Sequence, residues 1–284
     1  MKIAIVTDSN SGMTLQESQA LSVSLLPMPF SIDGESFFEG VNLTQEMFFE
    51  KQEAGADIST SQPAPADILE LWENLLKDHD QIVHIPMSSG LSNACATAKI
   101  LAQEFDGRVF VVDNKRISAT QRDSVLNAVK MAEQGMDGQT IRDKLEAAAM
   151  DADIYIAVNT LKYLKKGGRI TPAAAAIGTA LHIKPVLKIS GEKLDAFAKV
   201  RGIKQAQQKM IDTARKEMNE RYAGQEVLIQ AAYSGDPETG RAWKELLEQE
   251  FPGQEIYCAP LALSIACHIG AGAMGITCMK KMKW

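Results

Sequence analysis

Residues 81–105 read QIVHIPMSSGLSNACATAKILAQEF. The run QIVHI has the length and apolar content of a short buried strand, and the residues from Leu91 onward continue at helical spacing. Between them sits MSSGLS, with three serines and one glycine. Strand, polar loop and helix in that order is the unit from which parallel sheets are built.

The same alternation extends in both directions. Upstream, KIAIVTDS reads as a buried strand ending in a polar loop, and ILELWENLLKDH is apolar at helical spacing. Downstream, RVFVVD reads as a strand and DSVLNAVKMAEQG as a helix. The Asp33, Gly34 pair predicts a hairpin, NLTQEMFFEKQEAG a capped helix, and ADISTSQPAPAD a loop rich in hydroxyls and prolines. Ligands of parallel sheets sit beyond the carboxyl ends of strands. TDSNSG, PMSSG and DNKRIS all lie at such ends and are expected to converge.

A second half is expected from about residue 150. IYIAVN reads as a strand, TLKYLKKGG as a helix, and IKPVLKIS with KLDAFAKV as an antiparallel hairpin about Gly191. A long amphipathic helix, IKQAQQKMIDTARKEMNERY, precedes the strand EVLIQAAYS, the helix ETGRAWKELLEQEF and the strand EIYCAPL. SIACHIGAGAMGITCMKK reads as a turn rich in His and Gly leading into a final apolar run. The fold class is therefore α/β with two α/β domains, 1–152 and 153–284. The first is built mainly on a parallel sheet with flanking helices, the second on a mixed sheet with helices.

The chain has 284 residues, 45% of them hydrophobic and 23% charged, enough to bury a core in each half. A net charge of −6 argues against general nucleic-acid binding, which needs a basic face. The four cysteines form no C-x-x-C and take no zinc-finger spacing with histidine, so no metal site is expected. The opening MKIAIVTDSN is too short an apolar run for a signal-peptide core, and no stretch approaches a membrane span. The expectation is a cytoplasmic protein with no stable membrane insertion.

The serine loop admits three chemistries. It can cap a helix, it can cradle an anion with hydroxyls and helix amides, or it can hold a nucleophile. A hydrolase would use Ser92 or Ser89 with His268 as base, although only Gly90 is available where the strained elbow needs two flanking glycines. In KKGGRIT, Gly167 and Gly168 predict a helix C-cap. Lys165 and Lys166 complement the negative helix end, and Arg169 begins the next segment. The small residues of TPAAAAIGTAL allow close helix packing or line a narrow apolar tunnel.

TDS, TSQP, SSGLS, LKYLKKGGRI followed by IGTALHIKPVL, and HIGAG occur in this order along essentially the whole chain. Together they resemble the DegV family of bacterial fatty-acid-binding proteins. The resemblance implies a buried acyl chain as ligand, no other cofactor, and no catalytic residue in this chain. It implies that Thr60 and Ser92 bind the carboxylate, with Ser61, Ser89, Asn93 and His268 in the surrounding polar network. Where the family usually reads S-S-x-L-S-G-T-Y, this chain has Asn93, Ala94 and Cys95 after Ser92. One hydroxyl is lost and an amide takes a neighbouring place. Some members present the carboxyl to the ATP-using subunit of a fatty-acid kinase. For such a partner, Lys165, Lys166, Arg169 and Arg201 are the candidate docking cations.

Overall fold

The structure, a computed structural model, describes residues 1–177 and 183–284. The chain forms two compact units, Met1–Met150 with Trp284, and Asp151–Lys283.

In the first unit β1 (Ile3–Asp8) is followed by α1 (Leu15–Ala20) and β2 (Val23–Leu26). The hairpin of β3 (Pro29–Ile32) and β4 (Glu35–Phe38) turns at Asp33 and Gly34, both at positive φ. Next comes α2 (Gln45–Glu53), whose first turn is capped by the Thr44 hydroxyl accepting from the Met47 amide. There follow β5 (Ile58–Thr60), α3 (Pro65–Leu75), β6 (Gln81–Ile85), α4 (Ala94–Leu101), β7 (Val109–Val111), α5 (Ala119–Glu133) and α6 (Gly138–Ala147). The main sheet runs β2-β1-β6-β7 and is parallel throughout, and a small antiparallel sheet runs β4-β3-β5. Val6, Ile82, Ile68, Trp72 and Ala98 form one apolar layer, with Trp72 edge-on to both His84 and Phe105. Helices α5 and α6 pack against β1, β6 and β7. A parallel sheet needs such cover, because its strands are apolar on both faces.

In the second unit β8 (Ala152–Ala157) leads to α7 (Lys162–Gly167), α8 (Pro172–Ala175), β9 (Ile183–Ile189), β10 (Asp195–Arg201) and α9 (Gly202–Asn219). Then come β11 (Val227–Tyr233), α10 (Pro237–Glu250), β12 (Tyr257–Pro260), α11 (Leu263–Ile269) and β13 (Met274–Lys280). The sheet order is β10-β9-β8-β13-β11-β12. Only the β11, β12 pair is parallel. The sheet is mixed, as its sequence pattern predicts. Met210 and Ala214 of α9 and Trp243 and Leu247 of α10 are fully buried in its core. The Trp243 indole N–H donates to the Gly275 carbonyl at 2.8 Å, which satisfies the one polar atom of that side chain.

Three local expectations change. The segment ADISTSQPAPAD is not all loop: Ile58–Thr60 is a strand, since its alternating β-branched residues pair with β3. The helix after DNKRIS starts at Ala119, earlier than DSVLNA, because the Thr120 hydroxyl bonds both the amide and the carbonyl of Ile117. HIGAG is not wholly a turn either. His268 lies in the last turn of α11, and the chain leaves the helix only at Gly270, with φ of 80°. Residues 178–181, the end of the small-residue segment TPAAAAIGTAL, lie outside the described residues. Of its described part, Ala174 and Ile177 are buried.

Candidate functional site

In the first unit the ends of β1 and β6 and the segment after β7 are stitched together by their polar loops. The buried Asp8 carboxylate accepts from the Met87 amide at 2.9 Å, from the Asn10 amide at 3.0 Å and from the Gln121 side chain at 3.2 Å. Burial raises the Asp8 pKa above its ordinary value, and the hydrogen bonds from Met87, Asn10 and Gln121 act against that rise. The Ser88 amide donates to the Arg116 carbonyl at 2.8 Å, and the Ser118 amide to the Asn10 carbonyl at 2.9 Å. TDSNSG, PMSSG and DNKRIS thus meet, as strand ends of a parallel sheet should.

The serine loop itself forms a single turn. The amides of Leu91 and Ser92 both donate to the Ser88 carbonyl, at 3.0 and 3.2 Å. Ser88 is buried, and its hydroxyl accepts from the Gly90 amide at 3.1 Å. Ser92 is half-buried and its hydroxyl accepts from the Ala94 amide at 3.1 Å, so it caps the start of α4 and keeps its own O–H for another acceptor. Asn93 is exposed and makes no capping bond. Ser89 is half-buried, and its hydroxyl accepts from Lys115 Nζ at 2.6 Å.

TSQP is tied to this turn through the next helix. Thr60 ends β5 opposite Phe30, and exposed Ser61 donates its amide to the Pro29 carbonyl at 3.1 Å. The Gln62 side-chain oxygen accepts from the Thr97 hydroxyl of α4 at 3.2 Å. One side-chain bond therefore joins the loop carrying Thr60 to the helix that Ser92 caps.

In the second unit the two remaining motifs interlock. Helix α7 ends at Gly167 and is closed by Gly168 in the left-handed conformation, as KKGG predicts. His268 is half-buried against Gly167, where an added Cβ would lie 2.1 Å from its Nδ1. Burial and the positive charge of Arg169 bring the His268 pKa down to about 4, so the imidazole is neutral at pH 7. Asn159 donates from its side chain to the Ala271 carbonyl at 3.0 Å, and Gly272 leaves no room for a Cβ beside it. Arg169 donates to the Gly167 carbonyl. Lys165, Lys166 and Arg201 are exposed, the last as the residue before α9.

Sequence reading missed Gln62, Thr97 and Lys115. Lys115 stands in the strand-end loop DNKRIS, and that position was its available signal. Among the described residues no cluster of histidine, cysteine and carboxylates could hold a metal ion, and no helix is long and apolar enough to cross a membrane.

The arrangement matches known proteins along its length. The family model of the DegV proteins, a family described as uncharacterised, matches residues 2–281. A DegV domain-containing protein of Deinococcus radiodurans is 32% identical over 277 residues, which cover 97% of this chain and 98% of that one. A Thermus thermophilus DegV family protein, solved in a study of its fatty-acid binding, superposes with a TM-score of 0.90 at 31% identity, covering 99% of this chain and all of the other. The Bacillus subtilis DegV, described as a fatty acid binding protein, gives 0.86 at 26% identity with the same 99% coverage of this chain. With the family model matching residues 2–281 and a relative 32% identical across 97% of the chain, this chain belongs to the DegV family.

Proposed function

We propose that the protein binds a long-chain fatty acid and carries it without transforming it. Thr60 and Ser92 hold the carboxylate, and Ser61, Ser89, Asn93 and His268 supply the polar surroundings. The observation that carries this reading is the Gln62 to Thr97 bond, which links the TSQP loop to the helix capped by Ser92. The fatty acids named for the Thermus and Bacillus relatives point the same way.

The chemistry is sufficient for retention. Burying a chain of about sixteen carbons at ~0.8 kcal/mol per methylene gives of order 10 kcal/mol. Each headgroup hydrogen bond adds only ~1–3 kcal/mol and so orients the carboxyl more than it retains the lipid. A carrier of this kind, working in the cytoplasm, presents the carboxyl to an ATP-dependent fatty-acid kinase. Lys165, Lys166, Arg169 and Arg201 form the docking rim, where charges steer association more than they add affinity.

Mass spectrometry of organic extracts from the purified, denatured protein tests the reading. A long-chain fatty acid at about one per chain is expected, and its repeated absence overturns the proposal. A panel of esters, with Ser92→Ala as control, should show no turnover. Hydrolysis lost in the variant would make the chain an enzyme instead. With the cognate kinase and ATP, Lys166→Ala and Arg169→Ala should lose acyl-phosphate formation while lipid occupancy stays unchanged.

A further inference from the structure

Lys115 and Arg116 are neighbours in sequence and do opposite things. Arg116 is 3% exposed and turns inward, to Asp123 at 3.4 Å, to the Ser124 hydroxyl at 3.2 Å and to the Ala148 carbonyl at 2.9 Å. Lys115 turns the other way, and its Nζ donates to Ser89 Oγ at 2.6 Å. In the same loop Lys115 has φ of 58° and Ser118 φ of 56°. Those are conformations that residues with a Cβ adopt at a cost, and such cost is concentrated where function requires a particular side-chain direction. The strained loop is held by the Ser88 to Arg116 and Ser118 to Asn10 backbone bonds.

Ser89 and Ser92 belong to one turn, closed where the Ser88 carbonyl accepts from the Leu91 and Ser92 amides. A cation bonded to Ser89 is therefore seated on the same turn that carries the Ser92 hydroxyl. Asp113 is the carboxylate beside Lys115, with Oδ2 3.7 Å from Nζ. Glu146 accepts from the Asp113 amide at 2.8 Å and pairs with Lys99 at 3.6 Å. The Lys115 side chain remains 30% exposed, and its ammonium, held by Ser89 and beside Asp113, acts on an anion at the turn through its charge.

We propose that Lys115, seated on Ser89, is the cation of the fatty-acid site and makes that site select an ionised carboxylate over neutral lipids of the same length. This rests on the fatty-acid reading and adds to it the group that reads headgroup charge. Hydroxyl and amide donors favour the ionised carboxylate over a fatty alcohol only through their hydrogen bonds, and a cation adds a direct charge–charge preference for the ionised form.

The test uses the full chain with palmitate labelled with carbon-13 at the carboxyl, and with hexadecanol as its neutral counterpart. Wild type is compared with Lys115→Met, which keeps the side-chain length, and with Lys115→Arg, which keeps the charge. In Lys115→Met the bound carboxyl should titrate about one pH unit higher by carbon NMR, and the preference for palmitate over hexadecanol at pH 8 should fall about tenfold. Lys115→Arg should restore both. A wild-type titration and preference in Lys115→Met would overturn the role of Lys115 and leave fatty-acid binding intact. Failure of the wild type to bind either lipid would overturn the fatty-acid reading, and this inference with it. If Lys115→Met does not fold, Ser89→Ala supplies the same comparison, since it removes the seat of Lys115. Unchanged headgroup titration there would again overturn the proposal.

Discussion

A Cβ on Gly167 would stand 2.1 Å from Nδ1 of His268. The end of α7 and the last turn of α11, about a hundred residues apart in sequence, approach so closely that only hydrogen fits between them. Gly168, the next residue, has φ of 68°, and a Cβ there would meet nothing within 4 Å. The two glycines are thus required for different reasons, the first for space and the second for backbone conformation.

Gly167→Ala should displace His268 and destabilise the second unit by about 2 kcal/mol, the usual scale of overpacking at a rigid contact. Gly168→Ala should cost about 1 kcal/mol through backbone strain alone. Urea denaturation measures both losses. Fatty-acid affinity distinguishes the variants, because only Gly167→Ala moves the imidazole. Equal affinity in the two would contradict the proposed place of His268 among the lipid's polar surroundings.

The histidines make stability depend on acidity. Burial brings His84 down to about 3 from an ordinary 6.5, and burial with the charge of Arg169 brings His268 to about 4. In that window the unfolded chain binds protons that the folded chain does not. Stability is therefore full above pH 6.5 and declines as pH falls toward 4, by up to about 1.4 kcal/mol per pH unit for each imidazole. Asp8 works with the opposite sign: its pKa is raised on folding, so the stability it favours is lost as pH rises above 3.8. His84→Phe retains the edge contact with Trp72 and should flatten the acid slope of the urea midpoint. An unchanged slope between pH 7 and pH 5 would show that His84 is protonated in the folded protein.

Asp8 accepts from the Met87 amide and the Gln121 side chain, so an amide in its place would set one N–H against another. Asp8→Asn should cost about 2 kcal/mol, the penalty for a buried donor left without an acceptor. The thermal midpoint reads the loss. Because the bond to Met87 positions the serine turn, lipid binding should weaken in the variant even well below its melting temperature.

Thr97→Val keeps the shape of the side chain and removes the hydroxyl that holds Gln62. Loss of this intramolecular bond should cost about 1 kcal/mol of stability, and the loosened TSQP loop should lower fatty-acid affinity several-fold. Calorimetric titration with palmitate makes the measurement. Full affinity in the variant would mean that TSQP is positioned by its pairing with β3 alone.

Much of this molecule was legible in one dimension. QIVHI and KIAIVTDS read as buried strands because parallel strands are apolar on both faces, and KKGG read as a helix end because glycine closes helices without strain. These are properties of neighbouring residues, so local pattern suffices. The strand at Ile58–Thr60 was hidden because three residues carry too little periodicity, and its partner β3 lies beyond an intervening helix.

The ordered motifs TDS, TSQP, SSGLS, GGRI and HIGAG by themselves determined the family, since each preserves a local backbone need or a polar group. Only the tertiary structure decided which of those groups touch. It joined Gln62 to Thr97, set His268 on Gly167 and turned Lys115 onto Ser89 while sending Arg116 inward. The physical reason is that such contacts depend on strand order and helix packing, which bring together residues far apart in the chain. The left-handed backbone at Lys115 stands in a loop bonded to Ser88 and Asn10 from other parts of the chain, with no glycine to announce it.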